Sequence, residues 1–377
     1  MQNWDALGNA SIVTDEVLPA IFSCKSTVLR IKDECFSKYL LTYLNTDVGK
    51  GFLLRKTRGA IQAGLNLDDL KTLLIYLPSI DFQRFISNLL DVAKHNGDQS
   101  KVIYKQAEEL LLSELGLNDW QPIADTIAVK RFSDSWGGCD RGDAEHYKPK
   151  YDQILDELSN LQPEKIASLE DLLITITNGQ TPLHHDLSIG EVKFLTAEHI
   201  DDFRINYDTE KRVTLQHHTT ELTRTHLLKG DVLLTIKGKI GNAAVVDDLN
   251  ELVNINQDVA LIRLSVDIHP YYFAGFINSV AGKLLVQQTC TGQINPYLSL
   301  GNLRKIKIPL FKTEVMNELG EAIQAKVKSA RRGAYQSKQL LEIAKTGVER
   351  AIEEDEERAI DWMNQQLTNL GINQLNN

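Results

Sequence analysis

Residues 287–295 read Gln-Gln-Thr-Cys-Thr-Gly-Gln-Ile-Asn, a run dense in amides and hydroxyls between apolar segments. Asn and Gln can bond the edge of adenine bidentately, and Thr can meet the methyl group of thymine. Gln287, Thr289, Thr291, Gln293 and Asn295 are therefore candidate base readers. Lys237 and Lys239 flank Gly238 in an expected tight turn. Two ammonium groups on a Gly-containing loop suit phosphate contact, which carries affinity without sequence information. The competing reading is an ordinary solvated pair of lysines. A third stretch, Leu54 to Gln62, is basic: Arg55, Lys56 and Arg58 precede Gln62. Arg suits guanine or phosphate.

Other chemistry finds less support. Asn295-Pro296-Tyr297 approaches the Asn-Pro-Pro-Tyr signature of adenine methyltransferases but lacks its second proline, and no glycine-rich cofactor loop precedes it. His184-His185-Asp186 and His217-His218 are adjacent pairs without a suitably spaced carboxylate or cysteine, so they read as surface loops rather than a metal site. No nucleophile elbow, Walker motif or His-Glu-x-x-His motif occurs. The expectation is a chain with no catalytic residues, no metal and no cofactor of its own.

The basic loop and the amide-rich loop occupy the same place in a repeat. Gly8-Asn9-Ala10 and Gly241-Asn242-Ala243 lie 233 residues apart, and so do Arg30 and Arg263, Gly49-Lys50 and Gly282-Lys283, Gly59 and Gly292, and Leu70 and Leu303. A constant spacing of this kind marks an internal duplication. The framing glycines and apolar positions stay while the polar ones change, which fits two loops that read different sequences; ordinary loop drift is the competing reading. Pro78 with Pro309 and Tyr104 with Tyr335 pair at 231 instead, which extends the duplication into the following helices.

The elements that would position these loops follow from periodicity. Residues 1–78 hold a partial first copy, with strands expected at Ser11–Val13 and Thr27–Ile31 and a helix at Ser37–Leu44. Residues 79–117 form a long helix whose stripe is interrupted by the polar patch His95 to Ser100 and stops near Gly116. Residues 118–163 are a linker with a turn-rich middle, Ser133 to Gly138, and a short helix from about Tyr151 to Leu161. Residues 164–310 hold a complete second copy of mostly short strands with one helix at Pro270–Val280. Residues 311–358 form a second long helix with the stripe Met316, Leu319, Ile323, Val327, Ala330, Ala334, Ser337, Leu341, Ala344, Val348 and Ile352. Residues 359–377 read as a frayed tail.

The 377 residues exceed one ordinary core and point to two or three domains. No apolar run could span a membrane, the N-terminus is not a secretory signal, and four scattered cysteines read as reduced cytoplasmic thiols. A net charge of −10 excludes a uniformly basic surface but not a local phosphate-binding face.

The order of these features resembles the specificity subunit of type I restriction-modification systems. The carriers are the repeat, Thr177-x-Gly-x-Thr-Pro182, Gly230-Asp231-Val-Leu-Leu234 with Gly238-x-Ile-Gly241, Gly292-x-Ile294, a helix after each copy, and the linker Arg141-x-Asp-Ala-Glu-x-Tyr147. The resemblance implies an α/β fold of two target-recognition domains linked by two long antiparallel coiled-coil helices, here with the first domain incomplete. It implies double-stranded DNA as ligand, with Thr177 and Thr181 added to the contacts, and modification and restriction subunits as partners that bring S-adenosylmethionine, ATP and Mg. A helix of about 40 residues rises roughly 60 Å, against about 34–36 Å for a duplex turn, so such a pair could act as a ruler on a bipartite target. The first copy has no counterpart of residues 164–233, which a separate chain, a second copy of this one or a longer polypeptide would supply. Two other readings are the recognition part of a fused restriction-methyltransferase and a degenerate specificity protein that serves only as an assembly scaffold.

Overall fold

The computed structural model describes residues 8–372 apart from 24–25, 33–34, 58–63, 124–126, 128, 132, 134–140, 184 and 293. The chain mixes helix and strand and divides into two compact units, residues 1–102 with 330–377 and residues 103–329. The long helices α4 (Ile80–Glu114) and α10 (Thr313–Glu353) each contribute to both units.

The first unit opens with α1 (Ser37–Leu44), α2 (Asp47–Arg55) and α3 (Leu67–Lys71). Tyr39 and Tyr43 of α1 are buried against Phe82, Ile86 and Leu89 of α4, and Leu340, Ala344 and Val348 of α10 share that core. The strands expected at Ser11–Val13 and Thr27–Ile31 do not form. A strand needs a hydrogen-bonding neighbour, and among the described residues neither segment has one.

The patch from His95 to Ser100 does not interrupt α4. Gly97 lies against Ser337 of α10, where an added Cβ would stand 3.1 Å from the Ser337 hydroxyl oxygen. Ser100 Oγ donates to the Ala330 carbonyl at 2.7 Å, and Ser337 Oγ donates to the Ala93 carbonyl at 2.6 Å. Within this unit the two helices are therefore antiparallel and close. Small residues at the contact shift the expected stripe: Ala334 and Leu341 are exposed, while Leu340 is fully buried. The expected equivalence of Tyr104 and Tyr335 also fails, since Tyr104 is buried and Tyr335 exposed. Residues after 358 are not a frayed tail. Glu356–Asn369 form α11, capped by the Asp355 side chain, which accepts from Arg358 N at 2.8 Å. Ala359, Met363 and Leu367 bury its apolar face, and Gly347 leaves the room that Met363 fills.

The second unit holds α5 (Pro149–Asn160) and then the strands β1 (Lys165–Ser168), β2 (Leu173–Asn178), β3 (Val192–Leu195), β4 (Ile200–Asp201), β5 (Arg204–Ile205) and β6 (Arg212–Val213). The short α6 (Leu215–Thr219) leads to β7 (Val232–Thr235), β8 (Ala243–Val245), β9 (Val253–Ile255) and β10 (Val259–Leu264). One antiparallel sheet runs in the order β2-β10-β7-β8 and a second in the order β6-β3-β9, with β3 and β9 parallel. β11 (Lys307–Leu310) pairs antiparallel with β1. β7 and β8 are buried at every position and read as apolar runs for that reason.

The helix expected at Pro270–Val280 is two helices, α7 (Pro270–Asn278) and α8 (Val280–Thr289), followed by the short α9 (Leu300–Leu303). Ser279 leaves helical geometry, and its hydroxyl accepts from Gly282 N at 3.2 Å to start α8.

The two copies are built alike. α1 and α7, α2 and α8, and α3 and α9 begin 233 residues apart. Tyr39 donates to the carbonyl of Tyr76 and Tyr272 to that of Pro309, both at 2.7 Å. Asn45 Nδ2 bonds the Ala10 carbonyl at 3.0 Å, and Asn278 Nδ2 bonds the Ala243 carbonyl at 2.9 Å. At Gly49 and Gly282 a Cβ would fall 2.0 Å from the carbonyl oxygen of Tyr43 and Phe276. The spacing of 233 thus holds through Tyr76 and Pro309 to the first residues of the long helices, Ile80 and Thr313.

Candidate nucleic-acid interface

The turn at Gly238 and the loop after α8 meet in the second unit. Lys237 and Tyr297 form an isolated antiparallel bridge, and so do Thr291 and Tyr297. Thr291 N donates to the Tyr297 carbonyl at 2.9 Å, and Tyr297 N returns the bond at 2.8 Å. Leu298 N donates to the Ile236 carbonyl at 3.0 Å, which ties this small hairpin to the end of β7. Gly292 has φ +88, and a Cβ there would sit 2.7 Å from the Asn295 carbonyl oxygen, so the hairpin tip needs glycine. Thr291, Ile294 and Asn295 face solvent at this tip, with Ile294 92% exposed. Gln293 lies outside the described residues.

Lys237 and Lys239 are both solvent-facing, and each has a carboxylate near it. Lys239 Nζ stands 3.0 Å from Asp201, and Lys237 Nζ stands 3.9 Å from Asp258. Exposed pairs of this kind contribute about 0–1 kcal/mol. Exchange of the carboxylate for a phosphate is therefore inexpensive.

The threonine motif belongs to a hydrogen-bonded corner beside β9 and β10. Thr181 Oγ1 lies 2.7 Å from Gln257 Oε1, and Asn178 Nδ2 donates to the Gln257 carbonyl at 3.1 Å. The Thr177 hydroxyl makes only a long contact, 3.4 Å, to the Asn178 carbonyl. Gly179 is required, because a Cβ would fall 1.9 Å from the Ile255 carbonyl oxygen. Gln257 had no signal in the sequence, since it lies 76 residues from Thr181.

Two candidate base readers belong to the last turn of α8. Gln287 and Thr289 are helical, not loop, residues. The Thr289 hydroxyl donates back to the Val286 carbonyl at 2.8 Å, and Gln287 Oε1 accepts from Lys150 at 2.9 Å. The C-terminus of α8 is held by the linker. Arg141 reaches the carbonyls of Gln288, Thr289 and Cys290 at 3.2, 3.3 and 2.8 Å and pairs with Asp143 at 2.7 and 3.0 Å. A cation on the last carbonyls of a helix meets the negative end of its dipole. The same guanidinium holds the Asp143 carboxyl below its ordinary range. Burial pushes the Cys290 thiol up to about 11, against the opposing pull of Arg141. The Arg141-x-Asp143 spacing is the only trace of this task in the sequence.

In the first copy, Arg55 closes α2 with its guanidinium 6.0 Å from the Phe52 ring, and Lys56 bonds Thr72 Oγ1 at 3.1 Å. Arg58 and Gln62 lie outside the described residues.

His217 and His218 belong to α6 rather than to a surface loop, His185 stays in a loop, and His184 lies outside the described residues. His218 is buried, bonds Asn254 and stacks on His226 with ring centroids 4.0 Å apart. His185 bonds the Arg212 carbonyl at 3.1 Å and meets His217 edge-on. Among the described residues no group of three or more His, Cys, Asp or Glu side chains could hold a metal ion. Among them also, no helix is long and apolar enough to cross a membrane.

No family model matches the chain. No curated protein matches it either. Similar solved structures include the following three. The type I restriction-modification S subunit from M. genitalium shares 13% identity, with 83% of this chain and 71% of that one covered and a TM-score of 0.45. The HsdS subunit from Thermoanaerobacter tengcongensis shares 15% identity over 84% and 70%, with a TM-score of 0.34. A structure described by complex assembly and conformational transition of the type I R-M system shares 13% identity over 84% and 71%, with a TM-score of 0.35. Each of these alignments covers most of this chain.

Proposed function

We propose that this chain is a non-catalytic DNA-recognition subunit of a type I restriction-modification system. The observation that carries the reading is the duplicated scaffold with unlike polar loops. Both copies keep the Tyr-to-carbonyl and Asn-to-Ala bonds and the same impossible Cβ at Gly49 and Gly282. The loop after the second helix is amide-rich in one copy and basic in the other. A constant frame with a variable tip is what sequence reading by the same module at different half-sites requires.

In this reading Thr291, Gln293 and Asn295 address base edges, and Lys237 and Lys239 address phosphates. Thr181 and Gln257 brace the adjoining corner. Gln287 and Thr289 hold the reading loop in place from α8. Adenine methylation belongs to a partner subunit that uses S-adenosylmethionine, and cleavage to a restriction subunit that uses ATP and Mg.

The test is expression of the chain with a type I modification subunit from the same source, followed by mapping of methylated adenines. A defined sequence motif, lost when the 291–295 tip is replaced by Gly-Ser, is the expected result. Methylation that ignores the tip would sink the reading in favour of a scaffold without sequence preference.

A further inference from the structure

Residues 54–64 and 287–297 correspond by the spacing of 233, and between them only Gly59 with Gly292 and Ile61 with Ile294 are identical. A residue kept where its neighbours change needs a physical reason. Gly292 has one: its φ is +88, and a Cβ would collide with the Asn295 carbonyl. Just beyond, Leu298 and Leu303 repeat Leu65 and Leu70, and both are fully buried, so packing holds them. Ile294 has neither reason. It is 92% exposed, so nothing in the fold of the second unit asks for an aliphatic side chain there.

The surroundings of Ile294 narrow what it could meet. The tip is closed by the paired backbones of Thr291 and Tyr297, and Tyr297 bridges in turn to Lys237. Ile294 therefore stands on the corner that carries the lysine pair. Asn295 beside it and Thr291 across the tip are polar and exposed. A protein-docking patch joins many apolar side chains into one surface. One aliphatic side chain at the point of a polar loop, with one partly exposed ring, Tyr297, at its base, is too small for that. Duplex DNA suits the mixture. Ammonium groups meet phosphates, and an aliphatic side chain can enter between base pairs. Every base presents an apolar face whatever the sequence. A residue that uses those faces can stay the same in two loops whose polar residues differ.

We propose that Ile294 is an apolar wedge that slides between adjacent base pairs and unstacks one step of the duplex. The inference rests on the DNA reading above and gives the tip a distorting part besides the reading one. Unstacking frees a base edge for the amide of Asn295, the next residue.

The experiment uses the full chain and a duplex carrying the motif mapped by methylation. 2-Aminopurine, whose fluorescence is quenched by stacking, replaces each purine in turn apart from the methylated adenine. The unsubstituted chain and Ile294→Leu brighten the probe severalfold at one step. Ile294→Ser leaves it dark there and binds about tenfold more weakly. Its thermal midpoint and its slope of log K against log salt stay unchanged, because neither packing nor a phosphate contact is removed. Binding with the probe dark at every position overturns the proposal and leaves the DNA reading standing. So does a step that Ile294→Ser brightens equally. Unchanged affinity for DNA with loss of the modification subunit from the Ile294→Ser complex assigns the residue to a protein contact and overturns it too. A chain that binds no duplex, or methylation without a motif, sinks the DNA reading and the wedge with it.

Discussion

Asn278 clasps Ala243 from both sides: its Nδ2 donates to the Ala243 carbonyl at 2.9 Å, and its Oδ1 accepts from the Ala243 amide at 2.8 Å. Both groups are buried, so Asn278→Ala strands two backbone groups without water. A loss of about 2–4 kcal/mol is expected, read as faster exchange of the amides of β7 and β8. Asn45 makes the same clasp on Ala10 more loosely, at 3.0 and 3.5 Å, and is only half-buried. Asn45→Ala should cost about 1 kcal/mol. Equal losses at the two sites would contradict the account.

Gly282→Ala and Gly49→Ala should each destabilise by about 3 kcal/mol or more, because the added Cβ meets a helix carbonyl that cannot retreat. Gly51→Ala is the control, since a Cβ there meets nothing within 4 Å. Urea midpoints of the three variants decide the matter.

Burial, followed by the nearby Asp202 charge, holds Glu108 above the ordinary carboxylate range, with Lys283 and Arg204 pulling the other way. An acid raised in the folded state favours folding fully at low pH. That contribution is lost as pH rises from the ordinary carboxylate value through the raised one. Glu108→Gln should therefore raise the melting temperature at pH 7 by about 2–4 °C and make little difference near pH 4. A gain that grows on acidification would refute the assignment.

Arg141→Lys keeps the charge but cannot span three carbonyls and a carboxylate at once. Amides 288–291 should exchange about tenfold or more faster, with those of β2 and β10 unchanged. In DNA binding the variant should lose affinity while its salt dependence stays the same, since no phosphate contact is removed.

Lys237→Gln with Lys239→Gln should weaken binding on every duplex and lower the slope of log K against log salt by about 2. Gln293→Ala and Asn295→Ala should instead change which duplex is preferred. Anisotropy titrations at several salt concentrations on two unrelated sequences separate these outcomes.

Much of this was legible in the residues. Periodicity located α1 and most of α7, and the repeat spacing picked out Gly49 and Gly282, because a helical stripe and a tight backbone contact are each dictated locally. The bend between α7 and α8 was not, because Ser279 breaks the helix by a cap that looks like any serine in an apolar run. The path of α4 through His95 to Ser100 was misread for a related reason. Gly97 and Ser100 weaken a helix taken alone, and only the opposing Ser337 and Ala330 explain them. Failed strands at Ser11–Val13 and Thr27–Ile31 show the limit of propensity: the pattern marks what can be a strand, and a neighbour decides whether it is.

The crossed pair of serine bonds, Ser100 to Ala330 and Ser337 to Ala93, works as a key in a slot. Sliding one helix past the other by a single turn, about 5.4 Å, would withdraw both hydroxyls from their carbonyls together. This joint therefore resists creep along its axis. A lengthened helix would have to find a new seat for both serines, not merely stretch.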